Sequence, residues 1–323
     1  MRRISEVGEF ALIARIERAL RRARAAGGPS VALGIGDDAA LLRVRPGEQV
    51  AVSTDALVES VHFRWAHEPA DAIGRRAMSA ALSDLAAMGA RPLGVVVALS
   101  VPPRLELARV DGLVRGLAAV ARRCGAPLVG GNLTRGRDTT VALTAIGALR
   151  AGRALRRAAA RPGDRVLVTG TLGGAALALA RAERGRRRLP GRRGRGPEPR
   201  LDAGRAIAAL PGAGACIDVS DGLLADLGHV LEASRVGATI DPARVPAPRG
   251  FARECAALGL DPLRLALAGG EDYELCFTVR PGAPGARALA RRLGVRVTEI
   301  GRIEGRRGLR GVPGHGLPGW THF

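Results

Sequence analysis

No lysine occurs anywhere in the 323 residues; all 50 basic side chains are arginine. A phosphate-binding loop of the GxxxxGK[ST] type is therefore excluded, and the chain contains no such motif. Aromatic residues are almost as scarce, at 2%. The core must be built from Ala, Val, Leu and Ile, which suits parallel or mixed sheets covered by Ala-rich helices. Cysteine is sparse too. Cys124, Cys216, Cys255 and Cys276 are far apart and form no CxxC pair, which points away from a zinc site or a disulfide framework. Reduced thiols in a cytoplasmic protein are expected. The first residues, MRRISEVGEF, lack the apolar stretch of a signal peptide, and no uninterrupted apolar run approaches the length of a membrane span. A soluble chain without a membrane partner follows as the expectation.

The formal net charge is +20. Taken alone, that would suggest a polyanionic partner. The exclusive use of arginine, beside abundant Ala and Gly, instead marks a compositional habit of the whole chain. With few rings to stack on bases, no nucleic-acid partner is expected.

A chain of this length forms one large domain or two ordinary ones, and 47% hydrophobic residues supply a substantial core. Periodicity predicts an amphipathic helix from about Ser5 to Ala25, with Phe10, Ile13, Ile16 and Leu20 on one side. A short strand is predicted over Val50–Thr54, running into Asp55. A helix follows over Asp71–Met88, then an apolar β-rich run at Leu93–Val101 and a helix at about Leu105–Cys124. Strands are expected near Pro127–Val129 and Val141–Leu149. This intermixing predicts an α/β or α+β domain over residues 1–150. A second α/β domain, 151–323, opens with the turn and strand RPGDRVLVTG, continues as Ala-rich helix, and holds an exposed Pro-, Gly- and Arg-rich loop, LPGRRGRGPEPR. ACIDVS reads as a strand, LLADLGHVLEAS as a helix and YELCFTV as a strand.

Acidic residues number only 30, yet several cluster in what read as glycine-rich turns at strand ends. These are Asp37 and Asp38 in GIGDDAALL, Asp55 in VSTDALVESVHF, Asp84 in SAALSDLAAMGA, Asp218 and Asp221 in IDVSDGLLADL, and Glu271, Asp272 and Glu274 in GGEDYELCF. Adjacent carboxylates repel and need a counter-charge. Hard oxygen ligands without nearby His or Cys favour Mg²⁺ or Ca²⁺ over zinc. Any one of these acids can be explained as a helix cap or turn former; five such motifs in one chain point to metal and phosphate chemistry. In a lysine-free chain, metal ions and arginines would have to neutralise the phosphates of a nucleotide.

The ordered set GDDAAL, STDxLVExVHF, SDLAAMGA, GGN-x-TRG, DVSDGL and GEDYEL resembles the thiamine-monophosphate kinase family, and the resemblance runs from Gly8 to the terminal GWTHF. It implies a two-domain fold like that of aminoimidazole ribonucleotide synthetase, with an N-terminal domain that binds ATP and Mg²⁺ and forms a homodimer through its sheet. It also implies transfer of the ATP γ-phosphate to thiamine monophosphate. Carried over motif by motif, Asp37, Asp38, Ser53, Thr54, Asp55, Asp84, Asp218 and Asp221 are implied magnesium ligands. Gly131, Ser220 and Arg157 are implied ATP contacts, with Arg156 one residue away from the last. His62, Glu271 and Trp320 are implied contacts to thiamine monophosphate. Where many members have GGDTTRG, this chain has GGNLTRG. Asn132 keeps a carbonyl oxygen for a metal or nucleotide but lacks the charge. Another ATP-using enzyme of the same superfamily is the alternative. Selenophosphate synthetase would need a reactive cysteine in an N-terminal glycine-rich loop, and no cysteine precedes Cys124.

Overall fold

The computed structural model describes residues 3–185 and 197–312. Trp320 and most of the Pro-, Gly- and Arg-rich loop lie outside the described residues. The chain divides into two compact units. The first takes the described chain up to Leu85 together with Arg91–Ala151; the second takes Ala86–Ala90 and the described chain from Gly152 onward.

The first unit begins with helix α1 (Glu9–Arg22), followed by the short antiparallel strands β1 (Val31–Leu33) and β2 (Leu41–Leu42). Strand β3 (Glu48–Val58), helix α2 (Ala70–Ala87), strand β4 (Arg91–Val101), helix α3 (Leu107–Cys124), and strands β5 (Leu128–Arg135) and β6 (Thr140–Arg150) complete it. The sheet order is β3-β6-β4-β5, and β4–β5 is its one parallel pair. Strand β3 pairs along its whole length, from Glu48 opposite Arg150 to Val58 opposite Thr140. Burial alternates with the period of two that a pleated strand imposes. On β6, Val141, Leu143 and Ala145 are buried while Ala142, Thr144 and Ile146 are only partly covered. On β3, Val50 and Val52 are exposed on that same open face, by their pairing with Ala148 and Ile146. On α3, Val110, Leu113, Val114, Leu117, Ala118 and Ala121 are buried, spaced as one helical stripe.

Helix α1 is shorter than its sequence pattern suggests, and its inward stripe is different. Leu12 and Leu20 are buried and Ile16 half-buried, whereas Phe10 is 84% exposed and Ile13 is exposed. The reason is geometric. Residues 12, 16 and 20 recur every four positions and stay on one side, while Phe10 sits roughly 200° around the helix from Leu12.

The second unit comprises β7 (Arg165–Thr169), α4 (Gly174–Glu183), α5 (Leu201–Ala208), β8 (Ala213–Asp218), α6 (Leu223–Ser234), β9 (Gly237–Ile240), α7 (Phe251–Ala256), α8 (Pro262–Ala268), β10 (Leu275–Val279), α9 (Ala286–Leu293), β11 (Val297–Glu304) and β12 (Gly308–Arg310). Its sheet runs β12-β9-β11-β7-β10-β8, antiparallel except for β12–β9. Every residue of β7 and β10 is buried. These inner strands therefore read as near-continuous apolar runs rather than alternating ones. Val166, Val168, Ile217, Val219, Leu223, Leu227, Val230 and Ile300 form a continuous core between this sheet and α6. Among the described residues no helix is long and apolar enough to cross a membrane.

Candidate functional site

In the first unit the acids are not confined to turns. Asp55 lies within β3, and Asp84 lies inside α2, three residues before its end. Asp55 follows from strand length: β3 extends four residues beyond the predicted Thr54 because it pairs with β6 all the way to Val58. Asp84 falls within the helix predicted over Asp71–Met88, which forms as α2. The Ser53 hydroxyl donates to Asp84 Oδ2. That contact places residues 53 and 55, which share a face by strand alternation, on the side of the sheet covered by α2. Asp55 Oδ1 accepts its neighbour's amide, Ala56 N, at 2.7 Å.

Thr54 points the other way. Its Oγ1 donates to Leu143 O at 3.2 Å and stands 3.4 Å from Thr144 Oγ1. Its side chain is thus on the open face, and only its backbone carbonyl could act together with Ser53 and Asp55. Asn132 is on β5, in the row Ala56–Ala142–Ala98–Asn132. Three strand spacings separate it from β3, roughly 14 Å. The first unit does not bring Asn132 to the Ser53–Asp84 pair. Gly131, beside it, is constrained for a reason of its own: a side chain there would begin 2.2 Å from Val97 O.

Asp37 and Asp38 are exposed in the loop between β1 and β2, where Asp37 Oδ1 accepts Asp38 N at 2.9 Å. None of the ion pairs among the described residues involves them. His62 lies in the turn that closes β3. Its Nδ1 accepts Val58 N at 3.1 Å, and its carbonyl accepts from Arg76 Nη2 at 2.8 Å. The same turn stacks Phe63 edge-on against Trp65 at 5.2 Å, with the Arg109 guanidinium 4.9 Å from the Trp65 ring. The arginine covers a face of the indole in a cation–π contact.

The second unit brings its predicted residues together. The segment after β8 and the segment before β10 are zipped by backbone bonds: Glu271 N to Ser220 O at 2.7 Å, Tyr273 N to Val219 O at 2.9 Å, and Val219 N to Glu274 O at 2.7 Å. Asp218, at the end of β8, and Ser220, Asp221 and Glu271, in the two adjoining loops, therefore stand at one end of the sheet. Glu271 and Tyr273 adopt left-handed backbone angles, φ 66° and 50°, a conformation uncommon for such side chains and found where surrounding structure enforces it. At Gly222 (φ 111°) a Cβ would begin 2.8 Å from the Ala268 backbone, so the turn into α6 requires glycine.

Three further acids organise these loops. Asp226, on the first turn of α6, is buried, and its Oδ2 accepts Ser220 N, Asp221 N and Gly222 N at 3.0, 3.0 and 3.1 Å. Burial pushes its carboxyl up to about 7 in spite of those amides. Asp272 accepts Gly173 N at 2.6 Å and Ala175 N at 3.0 Å at the start of α4. Burial likewise raises its carboxyl to about 7. Glu274 is buried and receives Thr169 Oγ1 at 2.6 Å and both arms of Arg200, at 2.7 and 2.5 Å. Asp226 was not singled out from sequence; an acid in the first turn of a helix that follows Asp-Gly is the signal that could have found it. Arg157 and Arg156 are both exposed on the second unit, where Arg157 O accepts Ser234 Oγ at 2.8 Å.

The donor set fits Mg²⁺ chemically. It consists of carboxylate, hydroxyl and carbonyl oxygens, and Ser53 and Asp84 already converge. Among the described residues no three His, Cys, Asp or Glu side chains form a ready cage. Magnesium commonly takes one or two carboxylates and completes its shell with phosphate and water oxygens.

Two mixed α/β units, each with oxygen donors set against its sheet, define a known class. The family models for the AIR synthase related protein N-terminal and C-terminal domains match residues 36–149 and 161–312. Within that class the similarity is specific. The chain is 40% identical to the thiamine-monophosphate kinase of Escherichia coli K12 over 307 residues, covering 92% of this chain and 90% of that protein. A crystal structure of thiamine-monophosphate kinase from Stenotrophomonas maltophilia K279a matches with a TM-score of 0.81 and 40% identity over 94% of this chain and 96% of that one. AaThiL complexed with AMPPCP and TMP matches with a TM-score of 0.77 and 30% identity over 100% and 99% of the two chains. The chain belongs to the thiamine-monophosphate kinase family.

Proposed function

We propose that this chain transfers the γ-phosphate of ATP to thiamine monophosphate, giving thiamine diphosphate and ADP. The observation that carries the reading is the pair of zipped loops that bring Ser220, Asp221 and Glu271 to the end of β8, where Asp218 stands, in a chain 30% identical to AaThiL, which was solved with AMPPCP and TMP bound.

Two anionic substrates must meet. The second ionisation of a phosphate monoester lies near 6, so the attacking oxygen of the acceptor is already anionic at neutral pH. No side chain needs to act as a strong base, and none is assigned that role. Positioning and charge cancellation do the catalysis, by direct in-line transfer without a phosphorylated enzyme. Mg²⁺, when bound, supplies the positive charge that lets the phosphate oxygens approach one another. In the first unit Asp37, Asp38, Ser53, Asp55 and Asp84 would hold it, with the Thr54 carbonyl as an uncharged donor, while Asn132, three strand spacings away, would meet a separate ion or the nucleotide. In the second unit the ligands would be Asp218 and Asp221. Ser220, Gly131 and Arg157 contact ATP. His62, Glu271 and Trp320 bind the acceptor.

The N-terminal domain pairs with a second copy through the open face of its sheet. Support comes from Val50 and Val52, 51% and 63% exposed on that face, where apolar side chains gain by being covered. The protein works in the cytoplasm, consistent with four free cysteines. An assay of thiamine diphosphate formation with and without a chelator tests the metal requirement. Full activity in excess chelator would overturn it.

A further inference from the structure

We propose that Asp226 is a positioning residue for the nucleotide–metal end of the reaction: its carboxylate gathers the three successive amides of residues 220–222 and thereby fixes where Ser220 and Asp221 stand. This inference rests on the reading of Ser220 and Asp221 given above.

The geometry carries it. One oxygen, Asp226 Oδ2, accepts Ser220 N, Asp221 N and Gly222 N within 0.1 Å of one another in length, at 3.0, 3.0 and 3.1 Å. Three donors converging on one point define the local backbone far more tightly than a single bond would. The acceptor is itself immobile. Asp226 is 2% exposed, sits on α6 one turn beyond Gly222, and has its own amide bonded to Gly222 O at 3.0 Å. Its neighbours Leu223, Leu227 and Val230 belong to the core.

The consequence for the loop is a division of labour. With Asp226 accepting the amides of residues 220–222, they are not available to the Asp221 carboxylate, which would otherwise fold back onto its own turn. The opposite edge of the loop is fixed by Glu271 N and Tyr273 N on Ser220 O and Val219 O. The loop is thus held from both sides by groups other than the side chains of Ser220 and Asp221. Partners that orient ligating side chains in this way change metal affinity or activity by about 10–100-fold when removed.

The test is titration of the β,γ-methylene analogue of ATP, in Mg²⁺, into the wild-type chain and into Asp226→Ala, Asp226→Asn, Asp226→Glu and Asp221→Ala, with a thermal melt of each. Asn keeps a carbonyl oxygen able to accept the three amides. Glu keeps the charge but carries it one methylene away. The expected result is analogue affinity about tenfold or more weaker in Asp226→Ala, at least fivefold weaker in Asp226→Glu, and within threefold of wild type in Asp226→Asn. Should Asp226→Ala fail to fold, the Glu and Asn variants decide alone. Wild-type affinity in Asp226→Glu, or equal weakening in the Asn and Glu variants, overturns the inference. Unchanged affinity in Asp221→Ala instead overturns the underlying reading of the site, so the two failures are distinguishable.

Discussion

The Ser53 hydroxyl donates a hydrogen bond to Asp84 Oδ2, tying the middle of a strand to the interior of a helix 31 residues away. The bond helps to orient a partly buried carboxylate. Asp84→Ala is expected to lower kcat by about a hundredfold or more, and Ser53→Ala by about tenfold, since the hydroxyl only orients what the carboxylate supplies. Melting temperatures should stay near that of the wild type, because Ser53 and Asp84 are only partly buried. Steady-state kinetics and melts on the two variants check this. Near-normal turnover in Asp84→Ala would make the residue a structural helix acid.

Glu274 and Arg200 form a second relationship, 74 residues apart in sequence, between a buried carboxylate and a guanidinium that grips both its oxygens. Removing one partner of a buried pair leaves the other charge uncompensated. Arg200→Ala is therefore expected to cost about 3 kcal/mol in urea unfolding. The double substitution Arg200→Met with Glu274→Gln should recover much of that loss. A cost below about 0.5 kcal/mol would place the pair with exposed, energetically neutral ion pairs.

Asp272 predicts a pH dependence. Its folded value of about 7 is far above that of a free aspartate, near 4. Between those values the folded chain binds the proton more tightly than the unfolded chain, so stability falls as pH rises through the window from about 4 to 7 and levels off above it. Asp272→Asn removes this contribution. Measured without metal or nucleotide, the melting temperature of Asp272→Asn relative to wild type should climb steadily from pH 5 to 7.5. A difference independent of pH would show that Asp272 is ionised throughout.

Much of this was legible in the sequence because it is local. The strand expected near Val141–Leu149 and the helix expected near Leu105–Cys124 form as β6 and α3, and glycine-flanked acids marked the turns after β8 and before β10. What escaped the sequence is non-local. The extent of β3, which draws Asp55 into a strand, is set by eleven paired residues of β6. The orientation of α1, which exposes Phe10, is set by what Leu12 and Leu20 find to pack against. Asp226 works through backbone amides, which leave no mark on residue type. The Arg200–Glu274 pair joins segments that only the folded sheet brings together. Strand alternation also separates Thr54 from Ser53 and Asp55, a distinction that a run of three motif residues conceals.

The central claim concerns the acceptor. ATP carrying a labelled γ-phosphate, supplied with Mg²⁺ and either thiamine monophosphate or thiamine, tests it most directly. The account predicts that label passes to thiamine diphosphate, one per ADP formed, and that unphosphorylated thiamine is used roughly a hundredfold less efficiently, because it lacks the phosphate that the oxygen-rich site and its metal ions gather. Equal turnover of thiamine and its monophosphate would contradict the account.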